Sequence, residues 1–514
     1  MRCRIALFLL CTAWTPLATA GTLYVPTHEF PTVQAAIDSA ASGDTLELAP
    51  QVYEENPLIV DKDLCIRTRG GGRAILDASV RAGQDGNTGS ALRSVRSHVL
   101  IEDLVLRNGV PVPNGAGYWV WGGSVEMRRC LFENNLYGVL VFAPNPGSTR
   151  IVDCEFVGNG AGLWSFRSTE LVRCRFVNNW VGIRAQDYVQ FEDVEVTGCG
   201  VGWRWGPELF APASFLLSGA SGRLDRVRVH HNDIDGGIAG IWLEEGPFEL
   251  RDCESSDNST DVGPSGLGAV RVTSLLLERV VLRGNSSTGL AFPVGGLFTD
   301  RSQVRAVRCQ IAANEGVDSG GGVAAIRNSH VELVGCTVQD NRSPLKGGGI
   351  YASASHVSLD SVLVAGNSAQ GGGAIAIDPG GSVRITRSTL VANTASGAGA
   401  LYLLEASGVL EQSIVAFNSG SPTLVCAGDL ERRCSDVFGN SDTSVCGRDL
   451  GGNLAVDPQF CAFDPAHQVY DVRLASTSPL TGVAGCGRLG AAPVGCEGSA
   501  VQAATWSTVK SLYR

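Results

Sequence analysis

The sequence predicts an all-β solenoid: a right-handed parallel β-helix with three strands per coil and about 13 or more coils. Three observations predict it. An asparagine returns about every 26 residues, short apolar alternations flank each copy, and glycine makes up 65 of 514 residues, nearly twice its usual share. The recurring marks are Asn108, Asn135, Asn159, Asn179, Cys199, Asn232, Asn258, Asn285, Asn314, Asn341, Asn367, Asn393 and Asn418. Hydrophobic residues reach 44% and charged residues only 18%, which argues against disorder.

The phase of the alternation sets the shape of a coil. In the phrase "HVELVGCTVQDNRSPLKGGGIYASAS" (330–355), Val331 and Leu333 share a parity, and Cys336 and Val338 share the opposite one. Strand side chains alternate with period 2, so keeping both pairs inward requires a corner between them. A third pair, Ile350 with Ala352, follows the glycines and completes three strands. The asparagine lies at a tight turn after a strand, where it tolerates left-handed dihedrals and bonds the local backbone. With coils about 4.8 Å apart, its amide can also bond up and down the stack. Asn135, Asn159, Asn179, Asn232, Asn258, Asn285, Asn314, Asn341, Asn367, Asn393 and Asn418 are therefore expected to form a structural ladder.

Going along the chain, Arg2 and Arg4 precede an apolar run ending at Trp14, and Ala18-Thr19-Ala20 offers a cleavage site. Residues 1–20 read as a secretory signal peptide. Residues 21–60 read as an N-terminal cap, with Val33, Ala36, Ile37 and Ala40 on one face of a short helix that covers the end of the core. The coils occupy 61–425. A cysteine-rich cap spans 426–498, and a tail with Trp506, Val509 and Leu512 at helical spacing spans 499–514. No later stretch reaches the roughly 18 apolar residues of a membrane-spanning helix. Only three of the 40 basic residues are lysine, the bias of a GC-rich bacterial genome. The net charge of −11 without a basic run argues against a nucleic-acid partner.

The cysteines fall into two groups. Cys130, Cys154, Cys174, Cys253, Cys309 and Cys336 share one inward position and read as buried thiols, a bridge between stacked coils being the alternative. Cys426, Cys434, Cys446, Cys461, Cys486 and Cys496 crowd the last 90 residues and suggest up to three disulfides, with fifteen possible pairings.

The stretch 31–56 resembles the entry segment of the pectin-lyase-like right-handed β-helix superfamily. "FENN", "FVGN" and "FVNN", ending at Asn135, Asn159 and Asn179, look like its generic coil repeats. The phrases "GGGI" and "GGAI" resemble the repeat of polymorphic outer-membrane proteins. "GNLAVDPQF", "YDVRLASTSPL" and "RLGA" (452–491) are similar to the end segment of bacterial surface β-helix proteins. An autotransporter-type member would add a C-terminal membrane barrel, and nothing after Asn418 has the alternation for one. The resemblance implies a fold that hosts lyases, hydrolases, adhesins and stalks alike. Its pectin hydrolases carry clustered carboxylates and a Gly-His-Gly, absent here. Its lyases carry calcium-binding carboxylates on neighbouring coils, and no acidic residue repeats at the coil period.

The remaining catalytic candidates are His230, His231, Asp233 and Asp235, around the mark Asn232, where a turn could hold acid/base groups. Polar residues are also what any such turn would carry. A second feature is an outward stripe: Trp119, Trp121, Phe142, Trp164, Phe166, Arg184, Arg204 and Trp242, with Trp203 and Trp205 reading as inward. Aromatics with arginines suit stacking on sugar rings and pairing with carboxylates of acidic glycans. The alternative is that the loop 206–221 packs over them. The sequence thus points to an exported bacterial protein, extracellular or at the cell surface (or in the periplasm), that binds or displays without catalysis. A polysaccharide or surface glycan is its expected ligand, and sorting machinery acting on the tail is a further candidate partner. A polysaccharide lyase or glycoside hydrolase with a divergent site is the alternative. No cofactor and no metal are implied.

Overall fold

The computed structural model describes residues 20–79, 89–109, 115–142, 147–200, 213–289 and 294–496. The signal-peptide and tail segments lie outside these, apart from Ala20. The chain winds through about 15 coils, each contributing one strand to each of three parallel faces. In one coil the first face is Ala116–Trp121, the second Val125–Arg128 and the third Leu131–Glu133. The third face is a 16-stranded sheet. The first two merge where Val181–Glu192, Ala213–Asp225, Leu401–Glu411 and Leu424–Arg433 bend round their shared corner as continuous strands. Stacking starts before residue 61 and runs past 425. Thr22–Val25 pairs in parallel with Thr45–Leu48, and Leu424–Arg433 pairs with Arg448–Asp449.

The interior is one continuous column of apolar side chains. Phe132, Phe156 and Phe176 occupy one inward position in successive coils, fully buried, with ring centroids 4.8 and 4.3 Å apart and planes within 11° and 2°. Their bulk sets a demand on the next strand: a Cβ on Gly138 would lie 2.8 Å from the Phe156 ring and 2.5 Å from the Gly162 carbonyl. Glycine is the residue that fits.

Corners are made by single residues with positive φ. The ladder asparagine is not one of them. The left-handed residue is the one before it, such as Asn134 (φ 55°), Asn178 (φ 54°), His231 (φ 53°) or Asp340 (φ 54°). This frees the asparagine to point inward. Asn341 Oδ1 accepts from the backbone N–H and from Nδ2 of Asn314, both at 3.0 Å. Its own Nδ2 donates to Ile311 O and Asn367 Oδ1. The same set of bonds, all buried, runs from Asn135 to Asn418. Cys199 takes one rung: its thiol accepts from the Asn179 backbone N–H, and its own N–H donates to Asn232 Oδ1 at 2.8 Å. Asn440 adds a final rung. Asn108 is out by one residue: it aligns with Asn134, and Gly109 fills the ladder position by donating to Asn135 Oδ1. The cysteine column works similarly. Cys154 Sγ accepts from the Cys130 N–H at 3.3 Å, and all the column thiols are free and buried.

Both ends are closed. Helix Val33–Ser39 lays Val33, Ala36 and Ile37 on the first coils. Its N-terminal N–H groups meet the Glu55 carboxylate at 3.0 and 3.2 Å, and Lys62 Nζ donates to the carbonyls of Ile37 and Asp38. Opposite charges at the two ends complement the helix dipole. At the other end the six tail cysteines pair as Cys426–Cys446, Cys434–Cys486 and Cys461–Cys496. A three-stranded sheet, Phe460–Asp464, Val469–Ala475 and Val494–Cys496, folds back on the outside of the third face. It covers Leu363, Ala365 and Val391, and Tyr470 Oη donates to Asp340 Oδ1 at 2.8 Å.

The cap buries Asp436 fully. Val456 N–H donates to its Oδ1 at 2.9 Å, and Oδ2 has no partner among the described residues. Burial raises its pKa to about 6. The folded state therefore holds this proton more tightly than the unfolded chain, so the group's stabilising contribution is complete below about pH 4 and lost as pH rises through 6. Asp436→Asn should remove this dependence: the difference in urea midpoint between variant and wild type grows from pH 4 to 7. A difference constant across that range would contradict the assignment.

Candidate functional site

Parallel, in-register stacking lines up equivalent positions, so like charges in successive coils would repel. Two of the three outer faces solve this by alternation. On the second, Arg150 sits between Glu126 and Glu170, 2.8 and 2.9 Å from them. On the third, Glu155, Arg175 and Glu195 are in register, and Arg175 pairs with Glu195 at 2.7 Å. The corner between these faces reads Asp103, Arg129, Asp153, Arg173, Asp193, Arg226, Asp252, Arg279, all with positive φ. Ion pairs of 2.6 to 2.8 Å join them two by two. The Arg129 guanidinium holds Asp103 below its ordinary pKa, and Arg279 does the same for Asp252. These surfaces satisfy themselves.

The first face is different. Its outward column reads Arg93, Trp119, Leu140, Trp164, Arg184, Leu216, Trp242, Gly268. Beside it stand Trp121, Phe142 and Phe166. Their inward neighbours Tyr118 and Val120 are fully buried, so the parity read from the sequence places these rings outside. Trp119 and Trp121 stack at 5.6 Å, Trp121 and Phe142 lie 5.5 Å apart, and Phe142 and Phe166 stack at 5.3 Å within 8°. Trp164 lies 5.8 Å from Phe166 and carries the Arg184 guanidinium 4.5 Å over its ring. Trp121 is 40% exposed; the others are half-buried. Among the described residues, the apolar cluster they join contains only residues of the same few coils. Burial lowers the pKa of Arg93 and of Arg184, and the Nε of each has no hydrogen-bond partner among the described residues.

Two expectations for this stripe are corrected. Trp242 is only 9% exposed: it packs with Val270, Val294 and Phe298, and its indole lies over Gly268, whose missing side chain makes the room. It is a packing residue of the stripe's upper part. Residues 213–221 of the expected covering loop are instead part of strand Ala213–Asp225, with Phe215 and Leu217 inside the core. Residues 206–212, Arg204, Trp203 and Trp205 lie outside the described residues.

The catalytic candidates do not converge. His230 Nε2 lies 3.0 Å from Glu195 Oε1, and the Nδ1 atoms of His230 and His231 are 2.8 Å apart. Asp233 belongs to a two-residue strand paired with Ser259–Thr260, and Asp235 is an exposed turn residue. Among the described residues, no hydrogen bond or ion pair links either aspartate to the histidines. What brings the pair together with Glu195 is the third face, which the linear motif does not show.

Sequence reasoning missed a second polar group on the first face. Lys346 Nζ contacts both oxygens of Asp378 (2.7 and 3.0 Å), Tyr351 Oη donates to Asp378 at 3.0 Å, and Lys346 lies 5.4 Å from the Tyr402 ring. Burial and Asp378 push the Tyr351 phenol up to about 12, so it stays a donor. The mutual bonding of these groups staples a glycine-rich loop to the wall. The available signal was that Lys346 is the one lysine between Lys62 and Lys510.

Residues 213–390 match the family model described as right handed beta helix region. No curated protein matches the chain in sequence. Among solved structures, the crystal structure of pectate lyase Pel9A aligns over 93% of this chain and 98% of its own, with 14% identity and a TM-score of 0.28. At that score the likeness decides neither substrate nor site. No helix among the described residues is long and apolar enough to cross a membrane. The parallel three-faced coils and the match over residues 213–390 agree on the fold: the chain is a right-handed parallel β-helix.

Proposed function

We propose that this is an exported binding protein whose first face holds a polysaccharide, with acidic residues in the polymer, along the stripe Trp119, Trp121, Phe142, Trp164, Phe166 and Arg184. One observation carries the reading. Where the second and third faces show alternating acidic and basic columns, this part of the first face shows aromatic rings flanked by Arg93 and Arg184, neither of which forms an ion pair with a carboxylate among the described residues. Aromatic faces suit the C–H faces of sugar rings, and guanidinium groups suit uronate carboxylates. Three disulfides in the C-terminal region support residence in an oxidising compartment, outside the cytoplasm.

The test is calorimetric titration of the mature protein with uronate-rich and neutral oligosaccharides, with product analysis of every mixture. The uronate-rich ligand should bind. Trp121→Ala should weaken it about 10-fold, the value of one aromatic contact. Arg184→Gln should weaken the acidic ligand but not a neutral one. Equal binding by wild type and both variants, with unchanged thermal melts, would refute the site. New reducing or unsaturated ends in the products would refute the non-catalytic reading and favour a lyase or hydrolase.

A further inference from the structure

The histidine pair on the third face is built unlike the ion-paired columns around it. Glu195 is held by Arg175 through Oε2 at 2.7 Å and meets His230 Nε2 through Oε1 at 3.0 Å. Both carboxylate oxygens of Glu195 are thus taken, one by the Arg175 guanidinium and one by the His230 ring. A carboxylate can only accept, so the His230 proton sits on Nε2 and its Nδ1 carries a lone pair. That lone pair lies 2.8 Å from Nδ1 of His231. The turn enforces the approach: His230 ends strand Arg228–His230, and His231 takes the left-handed conformation (φ 53°) that swings its ring back over its neighbour. The two rings stand nearly perpendicular, centroids 5.1 Å apart. Both side chains are reachable, His230 being 22% exposed.

We propose that His230 and His231 form a chelating site for a divalent transition-metal ion of the copper or nickel type, with Glu195 as the positioning carboxylate. Two metal–nitrogen bonds of about 2.0 Å spanning 2.8 Å meet at about 90°, the angle of square-planar coordination and well short of a tetrahedral one. On binding, the proton on His231 Nδ1 is exchanged through solvent to Nε2 of the same ring, so both rings stay neutral and both Nδ1 lone pairs go to the metal. Glu195 behind His230 fixes the tautomer and the ring orientation, the usual role of a carboxylate behind a metal-bound imidazole. Among the described residues no group of three or more His, Cys, Asp and Glu gathers to hold an ion, so water fills the remaining positions and the site stays exchangeable. The site is independent of the polysaccharide reading: it lies on a different face.

The experiment is titration of the mature, disulfide-intact chain with Cu2+, followed by electron paramagnetic resonance and calorimetry. His231→Asn is the main variant, because asparagine occupies the same left-handed position at Asn134 and Asn178 and keeps the turn. His230→Thr matches Thr197, the in-register residue of the coil before. One equivalent of Cu2+ should bind, with hyperfine structure from two imidazole nitrogens. His231→Asn and His230→Thr should each abolish that signature, and Glu195→Gln should weaken binding about 10-fold. A His330→Ala, His356→Ala variant, which removes a stacked histidine pair elsewhere in the coils, should change nothing. The proposal is overturned if the wild type takes up no more copper than the His230→Thr, His231→Asn double variant. It is equally overturned if the signal persists in His231→Asn or disappears with His330 and His356.

Discussion

Asn341→Ala should be among the most damaging polar substitutions in the chain, at about 3–5 kcal/mol. The side chain is fully buried and bonds to four groups: the N–H and Nδ2 of Asn314, Ile311 O and Asn367 Oδ1. Alanine leaves all four in place, buried and short of a partner. The effect should be local first, because each coil contacts only its neighbours. Hydrogen exchange should show the Asn314 amide losing protection before the amides of distant coils, alongside a lower urea midpoint. A midpoint within experimental error of wild type would mean that the ladder contributes nothing net.

Phe156→Ala should cost about as much, roughly 3–5 kcal/mol, for a different reason. The ring is sandwiched between Phe132 and Phe176 at 4.8 and 4.3 Å, and it also fills the space over Gly138. Removing it leaves a cavity that rigid parallel strands cannot close, since both neighbours are held in register by the backbone. Phe156→Leu should recover most of the loss. The same coils carry Phe142 and Trp164 on the outside, so near-ultraviolet circular dichroism should change with Phe156→Ala. A melt unchanged by alanine would contradict the stacked core.

Much of the coil was legible because one residue per coil is nearly invariant for a physical reason. A buried amide in each layer must meet another amide, so asparagine repeats, and the period follows. The parity break at Val331/Leu333 and Cys336/Val338 was legible for the same kind of reason: a corner shifts the inward phase by one. The left-handed residue was placed one position late, because a turn asparagine is ordinarily the left-handed one and here the core claims its side chain.

Features that depend on register between coils were less legible. The alternation before the first four column cysteines, Arg129-Cys130, Asp153-Cys154, Arg173-Cys174 and Asp252-Cys253, stood in the sequence, yet it means something only once those positions are stacked. Trp242 was assigned to the outer stripe, but what decides its burial is Gly268 in the next coil. The return of the C-terminal sheet over the third face also had a signal. Leu363 is apolar at the outward position where earlier coils carry Glu155, Arg175 and Glu195, and Ala365 and Val391 are apolar at the other outward position, where Thr197, His230 and Gln339 stand. The disulfide pairing had none, because spacing alone does not choose among fifteen connectivities. Nor did the distance of Asp233 and Asp235 from His230, since residues close in sequence part at every corner of a solenoid.

The first-face stripe is where the account is most exposed, and hydroxyl-radical footprinting of the mature protein with and without a uronate-rich oligosaccharide tests it most directly. Protection is expected at Trp121, Phe142 and Phe166, with the charged second face and the capped third face unchanged. Labelling that stays the same on those three rings while the ligand is bound, or protection that appears on another face, would contradict it.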